Sequence, residues 1–373
     1  MHRWDYYFQV KGQEFGSFWK EKLLKKGNVL YIIGEGFDPR MCHAAKNILE
    51  HCESENNDCL LLWHTGSPFS DDDILKEHVA DNRKKLDKLF EGRGKVIPIE
   101  IKMWHEDGGR VGAQNVSTAL RTFNNYNDYA DIIIDISALP RSIYFVLIAN
   151  MLYMYDKMKQ NNPGKSRPNI HVVVTEHAKL DSFIKENGID EKAEYLHGFT
   201  AHLESEAFTH IPKVWIPVLG EGKLVQMSRI HDLIDPSEVC PVFPSPSSNP
   251  RRADDLLLEY REYLFDIIRV EPSNIIYACE QNPFETYRQI LNTALHYDDA
   301  LNTLGGSRAV ISALSSKLLS IGALLAAIEL KKDGKMVGIA QIEPRDYEFN
   351  LEEYDVADAE LFTIFLAGEV YEK

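Results

Sequence analysis

"LYIIGEGFDPRM", residues 30–41, ends a β-branched apolar run with Gly-Glu-Gly, an acid and a proline. "IPVLGEGKLVQM", residues 216–227, repeats the scheme, with a helical pattern opening beyond the glycines. Glycine permits a tight turn between strand and helix. In the first copy Pro39 suits a first helical position, and Asp38 can cap that helix. A second landmark also occurs twice. "DISALPRS" (135–142) is echoed by "VISALSSK" (310–317). The two landmarks recur in the same order at similar spacing, which predicts a chain built twice with the landmarks in register.

The flanking pattern gives the fold class. In the first half, apolar runs at 28–34, 58–65, 95–101, 131–137 and 169–176 read as strands. Helical periodicity fills 39–52, 71–91, 115–126 and 141–158. In the second half, strands are expected at 214–220, 238–244, 274–280, 308–314 and 336–343, again with helices between. Continuously apolar strands alternating with helices mean a parallel sheet covered on both faces. The expected fold is α/β, with two tandem Rossmann-like doubly wound, mostly parallel sheets from an internal duplication. The expected domains are a lead-in at 1–27, a first domain at 28–205 and a second at 206–373. The tail from residue 350 is expected to be a closing helix of the second domain.

Bulk composition narrows the function. The chain has 373 residues, enough for two cores, and is 44% hydrophobic and 26% charged. Its net charge of −16 argues against duplex nucleic acid or an anionic membrane as partner. The five cysteines form no Cys-x-x-Cys pair, so no metal is expected and reduced thiols in a cytoplasm are. The N-terminus has no apolar signal segment. The longest apolar run, 144–155, is too short to span a bilayer.

Open parallel sheets bind ligands beyond the carboxyl ends of their strands. That rule selects Gly34, Gly36, Asp38 and Arg40 after the first strand, and Thr65 and Ser67 after the second. After the fourth it selects Asp135, Ser137, Arg141 and Ser142. Hydroxyls and guanidiniums there can hold a phosphate, and a carboxylate can hold a ribose. Arg40, Asp135 and Arg141 are expected to meet, because first and fourth strands are neighbours where the strand order reverses. The simpler reading of Asp135 is a carboxylate that ties its turn through Arg141 or Arg40. The stretch 103–112, with two glycines, reads as a flap. In the second copy Val310 replaces the Asp and Ser316 the Arg, so the first copy should hold the sharper site. Arg251, Arg252 and Lys317 remain candidate phosphate contacts there.

The element "DIIIDISALPRS" resembles the fourth-strand element of CARF-type Rossmann domains, with Asp135, Ser137 and Arg141 at the matching positions. Ala138, Leu139 and Pro140 stand where that family usually has glycines. The resemblance implies a pocket for a cyclic oligonucleotide messenger and a sensor or accessory subunit, with a possible protein partner, in a prokaryotic defence or signalling system. No ribonuclease motif of the Arg-x-x-x-x-His type accompanies it. The expected function is binding of a nucleotide or another phosphorylated small molecule in the crevice between the domains. The alternative is a sugar-nucleotide-dependent transferase with two Rossmann-like domains, in which Glu280, Glu285 or Glu343 would carry the chemistry. Whether ligand is turned over, and which cofactor if any is used, stays open at this level.

Overall fold

The computed structural model describes residues 2–23, 27–51, 56–64, 73–106, 108–123, 125–161, 164, 166–181, 183–200, 208–349, 356 and 358–372. The chain forms two compact units, Met1–Asn187 with Arg345–Lys373, and Gly188–Pro344.

The first unit runs β1 (Gln9–Lys11), α1 (Glu14–Leu23), β2 (Val29–Gly34), a 3-10 turn at Pro39–Cys42 leading into α2 (His43–Leu49), β3 (Asn57–Trp63), α3 (Asp73–Phe90), β4 (Val96–Glu100), α4 (Gly112–Thr122), β5 (Asp131–Asp135), α5 (Arg141–Asn161), β6 (Asn169–Glu176) and the short α6 (Ala178–Asp181). β7 (Ile184–Ile189) carries the chain into the second unit. That unit holds β8 (Glu194–Tyr195), β9 (Lys213–Val218), α7 (Leu224–Ile234), β10 (Glu238–Val239), β11 (Val242–Pro244), α8 (Arg252–Arg261) with a π-helical turn at Glu262–Ile267, β12 (Ile276–Ala278), α9 (Pro283–Ala300), β13 (Arg308–Ala313), α10 (Lys317–Lys332) and β14 (Val337–Gln341). β15 (Pro344–Phe349) returns, pairing with β7, and β16 (Glu360–Ala367) follows.

The two sheets share one topology. The first has the order β1-β16-β6-β5-β2-β3-β4, the second β12-β11-β9-β13-β14-β8 with β10 also beside β9. In each, the first strand of the repeat lies between the second and the fourth, so the order reverses beside it. Each sheet also adds an antiparallel strand next to its fifth parallel one: β16 on β6, and β8 on β14. Burial explains the layers. Tyr31 and Ile33 of β2 pack with Phe15 and Trp19 of α1, Met41 and Ile48 near α2, and Leu86 and Phe90 of α3. α4 and α5 pack against each other. In the second unit Trp215, Phe243 and Val310 pack with α7 and α8 through Met227, Ile230, Leu256 and Tyr260.

Five expectations need correction. The tail is no closing helix of the second domain: "ELFTIFLA" is β16, buried along nearly its whole length. Its apolar run is filled on both faces, as a strand between β6 and β1 requires. The first 27 residues are no lead-in, since β1 pairs with β16 and α1 buries Phe15, Trp19 and Leu23. The units are therefore not 28–205 and 206–373; the second is inserted between β6 and β16 of the first. The strand expected at 238–244 splits into β10 and β11 around Pro241, which lacks a backbone N–H.

The fifth correction concerns the landmarks. Ile33 faces Asp135, which puts Gly34 level with Ile136. Val218 faces Ala313, which puts Gly220 level with Ser315. With the glycines matched, Ile-Ser-Ala-Leu starts at their level in the first unit (136–139) and ends before it in the second (311–314). The topology is duplicated, but the two landmarks are not in register.

Candidate functional site

The site is built where β2 and β5 end side by side. Asp135 is 2% exposed, and its Oδ1 accepts the Ser137 N–H at 2.9 Å. This local bond turns the chain out of the strand. Ser137, fully buried, accepts the Thr175 N–H through Oγ at 3.0 Å and so ties the turn to β6. The side chain of Leu139 lies over Gly34, where a Cβ would come within 2.6 Å of its Cγ. Gly36 faces the carbonyl of Ala138. Arg141, partly exposed, opens α5, a helix of 21 residues, and Ser142 beside it is buried.

The loop after β2 is held by charge. Asp38 caps the turn at Pro39, its Oδ1 accepting the Arg40 N–H at 2.9 Å. The same carboxylate takes the Arg40 guanidinium through Nε at 3.0 Å and Nη2 at 2.7 Å. Nη1 donates to Asp181 Oδ1 at 2.8 Å. Burial opposes the charge on Arg40, but Asp38 and Asp181 outweigh it and hold the group well above its ordinary value. Arg40 is thus tied to these two carboxylates and not to Asp135. The Asn82 amide of α3, 3% exposed, donates to the carbonyls of Gly36 at 2.9 Å and Asp38 at 3.0 Å. Glu35 at the turn receives Arg83 at 3.2 Å.

Thr65 and Ser67 lie outside the described residues. At 103–112, Trp104 and Arg110 form an antiparallel bridge, with the guanidinium 4.2 Å from the indole centroid. Within the stretch expected as a flap, Trp104 and Arg110 are thus held together by a cation–π contact. His177 accepts the Leu180 N–H at 3.1 Å and caps α6. Among the described residues no group of three or more His, Cys, Asp and Glu is placed to hold a metal ion, and no helix is long and apolar enough to cross a membrane.

The corresponding turn of the second unit likewise sets an arginine, Arg252, among carboxylates, Glu221, Glu280 and Glu259. Arg252 grips Glu221 with two bonds, at 2.6 and 2.7 Å, and also reaches Glu280. Glu280 accepts the Ser248 N–H, and Glu259 accepts the Gly222 N–H, both at 2.8 Å. Burial would raise the Glu221 carboxyl, but Arg252 holds it below its usual range. Arg252 therefore serves carboxylates of its own chain. Gly220 is packed against the backbone of Leu314 and Ser315, where a Cβ would lie 2.5 Å from the Leu314 carbonyl oxygen.

Two residues of the site escaped the sequence reading. Asn82 sits at helical spacing with Leu86 and Phe90 on a stripe that buries against the core, and a polar residue on such a stripe was the available signal. Asp181 carried no local signal, because its partner Arg40 is far away in the chain.

No family model matches the chain, and no curated protein does. Solved structures give low similarity. A functionally unknown protein from Pseudomonas aeruginosa PAO1 has a TM-score of 0.23 at 11% identity, over 85% of this chain and 92% of that one. A candidate universal stress protein from Pseudomonas aeruginosa UCBPP-PA14 has 0.21 at 12%, over 86% and 94%. A universal stress protein from Archaeoglobus fulgidus DSM 4304 has 0.22 at 8%, over 83% and 94%. At these TM-scores the likenesses carry no argument about function.

Proposed function

We propose that the first unit binds a nucleotide or a related phosphorylated ligand beyond the ends of β2 and β5, as a cytoplasmic sensor or accessory subunit of a prokaryotic defence or signalling system. One observation carries this reading: the reversal of strand order in the first unit falls between two turns that bring Gly36 to the carbonyl of Ala138, with Arg141 opening a long helix beside them. Strand-order reversal is where such sheets open a crevice, and a helix start with a guanidinium favours an anion. Asp135 and Ser137 shape the turn rather than face a ligand, so Arg141 and the backbone at Gly36 are the contacts. The resemblance of the β5 element to CARF-type domains favours a nucleotide messenger. The acid-rich turn of the second unit favours the first as the phosphate site.

The test is direct. Protein purified gently and then denatured is examined by mass spectrometry for released nucleotide. The intact protein is screened for thermal shifts with nucleotides, cyclic oligonucleotides and sugar nucleotides. A ligand at a hundred times its Kd stabilises by about 2.7 kcal/mol. A shift without product supports the sensor reading. Sustained turnover of a sugar nucleotide would replace it with the transferase, and the absence of any shift or released ligand would reject binding.

A further inference from the structure

Both segments that lead to and from the second unit are fastened to the loop after β2. Asp181 closes α6, just ahead of β7, and receives Arg40 Nη1 at 2.8 Å. Tyr347 of β15 lies tilted against Phe37, with ring centroids 6.1 Å apart. One short loop thus carries Gly36 beside the proposed ligand turn, Phe37 against β15 and Arg40 on the segment ahead of β7.

The two carboxylates on Arg40 are unequal. Asp38 is buried, takes the Nε–Nη2 edge of the guanidinium and caps the turn. Asp181 has half its side chain exposed while Arg40 has 3%. With Asp38 alone, the pair would be neutral and Nη1 would offer an open donor. An ion pair open to water on one side is weak, and a phosphate oxygen satisfies the same donor with a charge-assisted bond.

We propose that Asp181 is a built-in occupant of the anion-accepting side of Arg40, and that a phosphate group on the ligand displaces it and releases the start of β7. This rests on the phosphate reading above and adds its regulation: ligand binding is coupled to the connecting strands by competition between two anions for one guanidinium. Displacement costs the ligand the Asp181 contact, so a protein without that carboxylate binds phosphate more tightly.

The experiment compares the full-length protein with Asp181→Asn, using inorganic phosphate as the probe at constant ionic strength. Calorimetry gives the affinity, and amide hydrogen exchange follows residues 184–189 with and without phosphate. Asp181→Asn is expected to bind phosphate about tenfold more tightly, within the usual range of coupling between sites. Its 184–189 amides are expected to exchange quickly even without phosphate, whereas in the unmodified protein they quicken only when phosphate is added. Equal affinities, or 184–189 exchange that is the same in both ligand-free proteins, would overturn the proposal. If neither protein binds phosphate, the competition fails along with the anion reading of the site. If both bind equally, the site stands and only the role of Asp181 falls.

Discussion

Asp135 accepts the backbone N–H of Ser137 two residues on, and β5 ends at that bond. Val310, at the matching place in the repeated landmark, has no acceptor, and β13 runs on to Ala313. Ile-Ser-Ala-Leu is thus a turn tied by that carboxylate in the first unit and mostly strand in the second. Asp135→Ala should leave a buried N–H unsatisfied and cost about 1–3 kcal/mol in urea unfolding. Asp135→Asn keeps an acceptor oxygen and should cost less. Equal losses for the two variants would show that charge, not turn capping, is what the site needs.

Arg141→Ala should weaken the ligand found by the screen by roughly ten- to a hundredfold, as expected for one charge-assisted hydrogen bond of about 1.5–3 kcal/mol. Titration calorimetry beside a denaturant curve separates the two roles. Unchanged affinity with a large loss of stability would make Arg141 a structural tie.

Asp38→Ala removes both the cap and the bidentate partner of a buried guanidinium. Breaking one side of a buried pair is expected to cost about 3–5 kcal/mol, read as a fall in the urea midpoint. Asp181→Asn, at a half-exposed position, should leave the midpoint nearly unchanged. Similar losses in the two variants would contradict the division of labour on Arg40.

The glycines after β2 and β9 should differ. Gly220→Ala would press a Cβ onto the Leu314 carbonyl, whereas the clash at Gly34→Ala is with the Leu139 side chain and not with backbone. Overpacking of this kind costs roughly 1–3 kcal/mol, with Gly220→Ala expected at the upper end and Gly34→Ala below it. Thermal melts of the two variants give the order.

Acid should weaken the first unit through His171. This side chain is fully buried, faces the rings of Phe18, Trp19 and Phe365, and has Nε2 2.9 Å from Asp131. Lys22 and Asn169 also face Asp131, and Lys22 bonds Glu369. Burial pushes His171 below its ordinary value of 6.5 against the pull of Asp131. The unfolded chain then takes up a proton that the native chain refuses, so stability falls as the pH drops below about 6.5. Burial would raise Asp131, but bonds from His171 and Asn169 and the charge of Lys22 keep it low. Its contribution is present at neutral pH and is lost only in stronger acid. Urea midpoints between pH 7.5 and 5 should fall less in His171→Gln than in the unmodified protein. An identical fall in both would remove His171 as the cause.

The sequence by itself determined the alternation of strands and helices, because each is written in a local apolar period that the burial of its own residues satisfies. The glycine turns and the Asp38–Pro39 cap were equally local, since their bonds join residues within a few positions of one another. Only the tertiary structure decided that the tail is a strand, because "ELFTIFLA" becomes one by pairing with β6 and β1 from elsewhere in the chain. The same holds for the insertion of one unit in the other and for the partners of Arg40. An arginine beside an acid reads as a ready anion receptor until folding brings in Asp181, and no local pattern says which carboxylate will arrive.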